Sequence, residues 1–205
     1  MRKYAAIALC TSAILAGCNT SNVSQEPKKE KKVQEVAIQK EALQEQGKIS
    51  YTPITHESTN TSIHITDLKD SLNEVQYKIW RTADGKERAK SFSSKEKEKQ
   101  FTIPFDIKEF EGKRGEFQIE ATGMKEDGKT IPLTKSTITF EQKVPVLMYH
   151  AIDDYHGQGI KDLFVSPANF EAQMKHLKDN GYTLLTFERW GDINKVNKPI
   201  FVTFV

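Results

Sequence analysis

Val144-Pro145-Val146-Leu147-Met148-Tyr149-His150 opens the stretch whose reading decides the fold, and Ile200-Phe201-Val202-Thr203-Phe204-Val205 closes it. The first segment is an apolar run ending in a polar pair, Tyr149-His150. That pattern predicts a buried parallel strand delivering polar residues at its C-terminal end. A helix follows. Ser166 suits its N-cap, and Pro167 suits the first helical position, where the missing N–H costs nothing. Phe170, Met174, Leu177 and Lys178 fall on one helical face, and Asn180-Gly181 supplies a left-handed stop. Tyr182-Thr183-Leu184-Leu185 reads as a short strand, and Lys198-Pro199 leads into another over Ile200 to Phe204. The order strand, loop, helix, strand, loop, strand is α/β in character.

Moving outward toward the N-terminus, residues 49–142 read as all-β. Ile63-His64-Ile65-Thr66, Val75-Gln76-Tyr77-Lys78-Ile79 and Phe117-Gln118-Ile119-Glu120-Ala121 alternate apolar and polar positions, and Ile138-Thr139-Phe140 reads as a last strand. Ala83-Asp84-Gly85 and Glu126-Asp127-Gly128 carry tight-turn chemistry. Short strands punctuated this way predict a β-sandwich. Trp80, at the end of one strand, is expected to plug its core. Trp80, Tyr77 and Phe92 have the ring faces to stack on sugars. Tyr77 and Ile79 share a strand face, however, which favours a core role.

Farther out, Met1-Arg2-Lys3 heads an apolar run from Tyr4 to Leu15, too short to span a bilayer as a mature helix. It ends in Leu15-Ala16-Gly17-Cys18. Small residues before a cut and a Cys after it look like a bacterial lipoprotein signal, 1–18, with Cys18 the lipidated residue of the mature chain. Two acyl chains on that Cys suffice for stable anchoring. Cys10 would leave with the signal, so no disulfide is expected. Residues 19–48 are polar, contain Lys28-Lys29-Glu30-Lys31-Lys32, and read as a tether. With 30 basic and 28 acidic residues the formal net charge is +2, which argues against a nucleic-acid partner.

Candidate site residues are few. His150, Asp153, Asp154 and His156 lie close in sequence, and two imidazoles with two carboxylates are plausible cation ligands. Their spacing fits neither a regular helix nor a regular strand, and Gly157-Gln158-Gly159 loosens the loop, so a polar loop is the favoured reading. His150 alone, at a strand's C-terminal end, is taken as a substrate-proximal residue. His56 and His64 are isolated and read as structural, and His176 falls within the helix.

Pro145-Val146-Leu147-Met148-Tyr149-His150, the helix from Val165-Ser166-Pro167 through Asn180-Gly181-Tyr182, and Lys198-Pro199-Ile200-Phe201-Val202-Thr203-Phe204 together resemble the polysaccharide deacetylase family, the NodB-like carbohydrate esterases, in its lipoprotein branch. The β-module more loosely resembles immunoglobulin- or fibronectin-like modules of the Bsp-like type. The resemblance implies a mixed fold: an all-β immunoglobulin-like sandwich, then an incomplete α/β segment, 143–205, of a deacetylase (β/α) barrel. It also implies hydrolysis of N-acetyl groups on N-acetylglucosamine units of peptidoglycan or a related glycan. A divalent metal, usually zinc, would assist.

In that family the third strand runs on into Thr-Phe-Asp-Asp-Gly, whose first Asp is the general base and whose second binds the metal. Here Thr203-Phe204 is followed by Val205. Catalytic and metal residues are therefore expected to be absent, no metal is expected to bind, and the chain is expected to be an inactive truncation. One base inserted in an Asp-Asp codon pair would yield Val and then a stop. Such a truncation is expected to leave Ile200 to Phe204 as an unpaired apolar edge. The alternative is a non-enzymatic lipoprotein, either wall-binding through its β-sandwich or a plain spacer. Expected partners are cell-wall glycan and, through the anchor, the extracellular face of the cell membrane; a monomer is expected.

Overall fold

The computed structural model describes residues 46–95 and 100–205. The expected signal segment, Cys18 and most of the expected tether lie outside the described residues. Within them the chain is mostly β-sheet, with one α-helix.

Seven antiparallel strands come first. Strands β1 (Lys48–Tyr51), β2 (Asn60–Thr66) and β5 (Phe101–Asp106) form one sheet in the order β1-β2-β5. Strands β3 (Glu74–Arg81), β4 (Lys90–Lys95), β6 (Gly115–Met124) and β7 (Thr130–Phe140) form a second, in the order β4-β3-β6-β7. Period-2 alternation puts Ile63, Ile65, Val75, Tyr77, Ile79, Phe117 and Ile119 into one core shared by both sheets. Phe105, Phe110, Phe117 and Phe140 meet there at centroid separations of 5.1–6.0 Å, mostly edge to face. Each such side chain contributes roughly 1.5–3 kcal/mol by leaving water. The one polar group that Tyr77 carries into this core is satisfied, since its hydroxyl donates to the Phe101 carbonyl at 2.8 Å.

Trp80 does not plug the core. It has the opposite parity to Ile79, so it points outward, half-buried, with the Lys86 ammonium 5.1 Å above its ring. Tyr77 is fully buried and offers no face to a sugar, while Phe92 is half-buried, packed edge to face with Phe105 against the core. The tight turn expected at Ala83-Asp84-Gly85 is instead a pair of 3-10 turns, Thr82–Asp84 and Lys86–Arg88, with Gly85 at φ 82° between them. The Glu126-Asp127-Gly128 turn forms as expected, with Gly128 at φ 79° and its N–H donating to the Lys125 carbonyl. Gln46 already belongs to this unit: its N–H donates to the Leu133 carbonyl, and its side chain bonds Asp70 and the Lys69 N–H.

The second part begins at β8 (Val146–Tyr149). Two short parallel strands, β9 (Ala151–Ile152) and β10 (Phe164–Val165), precede helix α1 (Pro167–Asp179), and β11 (Thr183–Leu185) and β12 (Pro199–Phe204) follow. Ser166 caps α1 by accepting from the Asn169 N–H. The helix ends in paired reversals, Tyr182 N–H to the Leu177 carbonyl and Gly181 N–H to the Lys178 carbonyl, with Gly181 at φ 72°. The sheet order is β11-β12-β8, all parallel. The expected unpaired edge at Ile200 to Phe204 is thus overturned: β12 is the central strand, hydrogen-bonded on both sides. That position explains its apolar run over Ile200, Phe201 and Val202, with Ile200 and Phe201 buried. β8 is an edge, and only partly buried, since Val146 and Met148 are 54% and 60% exposed.

Candidate functional site

The register of the parallel sheet sorts its side chains into two faces. Tyr149 pairs with Phe204 on the face that carries α1; Val146 pairs with Phe201, and Met148 with Thr203, on the other. On the helix side, the Tyr149 ring meets Phe170 edge-on at 5.1 Å and stacks on Phe204 at 6.0 Å, while its hydroxyl donates to Gln173 Oε1 at 2.6 Å. The far face carries a second aromatic group, Phe187 and Trp190 stacked on buried Phe201 at 4.9 and 5.5 Å.

These contacts fix the C-terminal ends of β8 and β12 side by side, and the Val205 N–H closes onto the Tyr149 carbonyl at 3.0 Å. His150 is the first residue beyond β8 and is exposed. A single exposed imidazole there can donate or accept a hydrogen bond toward a ligand.

The neighbouring acidic and imidazole groups do not join it. Asp153, Asp154 and His156 lie on the exposed loop between β9 and β10. Asp153 Oδ1 accepts from the Asp154 N–H at 2.8 Å, and His156 Nε2 stands 3.9 Å from the same carboxylate. Among the described residues no three His, Cys, Asp or Glu side chains converge on one point. These donors do not fit a divalent cation. The other histidines are peripheral: His56 is exposed beside Glu57, His64 Nδ1 bonds Thr102 Oγ1 at 2.9 Å across the sheet, and His176 is exposed against Asn180.

A second constellation, which the sequence reading missed, lies at the other end of the parallel strands. Arg81 is 2% exposed. Its guanidinium forks onto Asp84 at 2.9 and 2.8 Å, donates to the Arg114 carbonyl at 3.0 Å, and reaches Asn197 Oδ1 in the loop before β12. The Arg81 hydrogen bonds hold the Asp84 carboxyl below its ordinary value. Gln142 adds a clamp, donating from its side chain to the Ile193 and Val196 carbonyls at 2.7 and 2.9 Å and from its N–H to Asn194 Oδ1. The Glu116 N–H donates to the Asn194 carbonyl at 2.7 Å. The antiparallel and parallel parts are thereby joined, and a cleft of about 430 Å³ opens between them, lined by Arg81, Arg114, Lys143, Pro145, Tyr182 and Lys198 among others. One signal was available: Arg81 shares the strand parity of the buried residues Val75, Tyr77 and Ile79, and Asp84 follows three residues on.

No family model matches the chain, and no curated protein matches it. Solved structures do. A polysaccharide deacetylase from Bacillus cereus is 99% identical and superposes with a TM-score of 0.75, over 78% of this chain and 51% of that one. A protein from Bacillus anthracis described as a polysaccharide deacetylase is 91% identical, with a TM-score of 0.77 and the same coverage, 78% and 51%. The chain spans about half the length of these two relatives. By that near-identity of sequence over 78% of its length, it belongs to the polysaccharide deacetylase family.

Proposed function

We propose that these residues are the opening part of a membrane-anchored polysaccharide deacetylase: a lipid-bearing Cys18, a polar tether, an immunoglobulin-like β-sandwich, and the first strands of a (β/α) barrel. The observation that carries this reading is the 99% identity with a polysaccharide deacetylase. Support also comes from two antiparallel sheets around one core and from a parallel sheet presenting His150 at its C-terminal end, where barrel enzymes gather their active groups. The reaction proposed for the whole protein is hydrolysis of the N-acetyl group of N-acetylglucosamine units in peptidoglycan or a related glycan, at the extracellular face of the membrane.

A divalent metal such as zinc would polarise the acetyl carbonyl and activate water. The described residues do not fit such an ion, so no step of the hydrolysis is assigned to them. Their part is positional: Tyr149, tied to Gln173 and packed on Phe170 and Phe204, holds the strand end from which His150 faces the substrate. By themselves the 205 residues are proposed to be inactive.

Acetate release from N-acetylated chitooligosaccharides, with zinc supplied, tests this. The expected result is release by a full-length relative and none by the purified 205-residue chain. Release by the shorter chain would overturn its inactivity, and none from the longer protein would overturn the deacetylase reading. A second reading, a lipoprotein that holds wall glycan without cutting it, is favoured by the basic cleft between the two parts; retention on insoluble peptidoglycan without acetate release would select it.

A further inference from the structure

The cleft at the N-terminal ends of β8, β11 and β12 has an unbalanced charge. Its volume, about 430 Å³, falls within the range of small-ligand pockets. Among the described residues, none of its lining side chains is a carboxylate. Two of its cations are neutralised nearby, Arg81 by Asp84 and Lys113 by Glu111 at 2.7 Å. Three are not.

Arg114 spends its N–H groups on backbone carbonyls, those of Glu141 at 2.6 Å, Ser58 at 3.0 Å and His56 at 2.7 Å. Its guanidinium is thereby fixed in place with its positive charge unmatched. Lys198 donates to the Asn180 carbonyl at 2.8 Å and lies 5.4 Å from the Tyr182 ring centroid, again with no acid. Lys143 is exposed and makes no ion pair among the described residues. Pro145 and Tyr182 add apolar surface beside these charges. The larger cleft, about 600 Å³, offers a contrast: there Asp84, Glu87, Glu109 and Glu111 alternate with Arg88, Lys90, Lys108 and Lys113, and the signs cancel.

We propose that the smaller cleft binds an acidic saccharide, a sugar ring carrying a carboxylate or phosphate, its acidic group among Arg114, Lys143 and Lys198 and its ring against Pro145 and Tyr182. Held cations gain most from an anion because their own ordering is already complete. A C–H-rich ring face suits the apolar wall. This goes beyond the deacetylase reading, since the cleft sits at the opposite end of the parallel strands from His150, and it is tested by binding rather than by turnover.

Calorimetric titration of the purified chain with trigalacturonate, glucose 6-phosphate and neutral chitotriose decides it. At least one acidic ligand should bind, more tightly than chitotriose, and the better of the two identifies the acidic group. Lys143→Glu should weaken that binding about tenfold, with Lys143→Gln intermediate. Both variants should keep the wild-type melting temperature, because Lys143 supports no packing. The proposal is overturned by no acidic binding up to about 10 mM, by equal binding of chitotriose, or by an affinity indifferent to Lys143→Glu.

Discussion

Replacing Arg81 by methionine keeps the apolar stem and deletes the guanidinium. Three acceptors then lose their donor: the Asp84 carboxylate, the Arg114 carbonyl and Asn197 Oδ1. Removing one partner of a buried ion pair costs about 3–5 kcal/mol, because the other charge is stranded. The Asp84 side chain retains 19% exposure, so water relieves part of the penalty and the lower end, about 3 kcal/mol, is expected. For a domain of this size that is a fall in Tm of about 6–12 °C. Adding Asp84→Asn to Arg81→Met removes the stranded charge and should recover about 1–2 kcal/mol.

Acid sharpens the test. Arg81 holds the Asp84 carboxyl below its ordinary 3.8, so this contribution is present above pH 3.8 and is lost as pH falls through the depressed folded value. The wild type's advantage over Arg81→Met should therefore narrow on acidification. Urea unfolding followed by circular dichroism, at neutral pH and at pH about 3, measures all of it. A loss below about 1 kcal/mol, the range of exposed pairs, or no recovery in the double variant, would refute the reasoning.

Tyr77→Phe strands the buried Phe101 carbonyl and should cost about 1–2 kcal/mol in the same unfolding assay. Burial raises the Tyr77 hydroxyl above its ordinary 10.0, so its contribution is full below pH 10.0 and lost as pH climbs toward the folded value; the phenylalanine variant should lack that alkaline slope. Gly115→Ala places a Cβ 2.9 Å from the Asn194 carbonyl at φ 134°, and a loss of about 2 kcal/mol in thermal unfolding is expected. Gly112→Ala, with open space around it, should lose only about 1 kcal/mol. Ser166→Ala removes the α1 cap and should lower the urea-derived stability by about 1 kcal/mol.

Strands whose inner face is purely apolar were plain in the sequence: Ile63/Ile65, Val75/Tyr77/Ile79 and Phe117/Ile119/Ala121 need only the two-residue period. So was α1, whose ends carry their own chemistry at Ser166 and Gly181. Edges were not. β1 and β4 expose Lys48, Ser91 and Ser93, and a strand with little to bury leaves little pattern. β5 was hidden by Pro104, which an edge strand tolerates, and Pro132 hid the first half of β7, whose end at Ile138-Thr139-Phe140 was legible. The strand order β11-β12-β8 is a tertiary fact that no local pattern carries. Of the site, His150's place at a strand end was legible, whereas the basic cleft was not, because Arg81, Arg114, Lys143 and Lys198 meet only through pairing of segments far apart in sequence.

The bonds from Arg81, Gln142 and Glu116 all land on one loop, residues 193–197. Among the described residues, and apart from the covalent link at 143–145, the hydrogen bonds between the antiparallel and parallel sheets run through that loop, so a pull carried by them arrives at the start of β12 rather than at its far end. Mechanical strain applied to such a molecule would be felt first where Lys198 and Pro199 begin the central strand, leaving the end near Tyr149 and His150 sheltered.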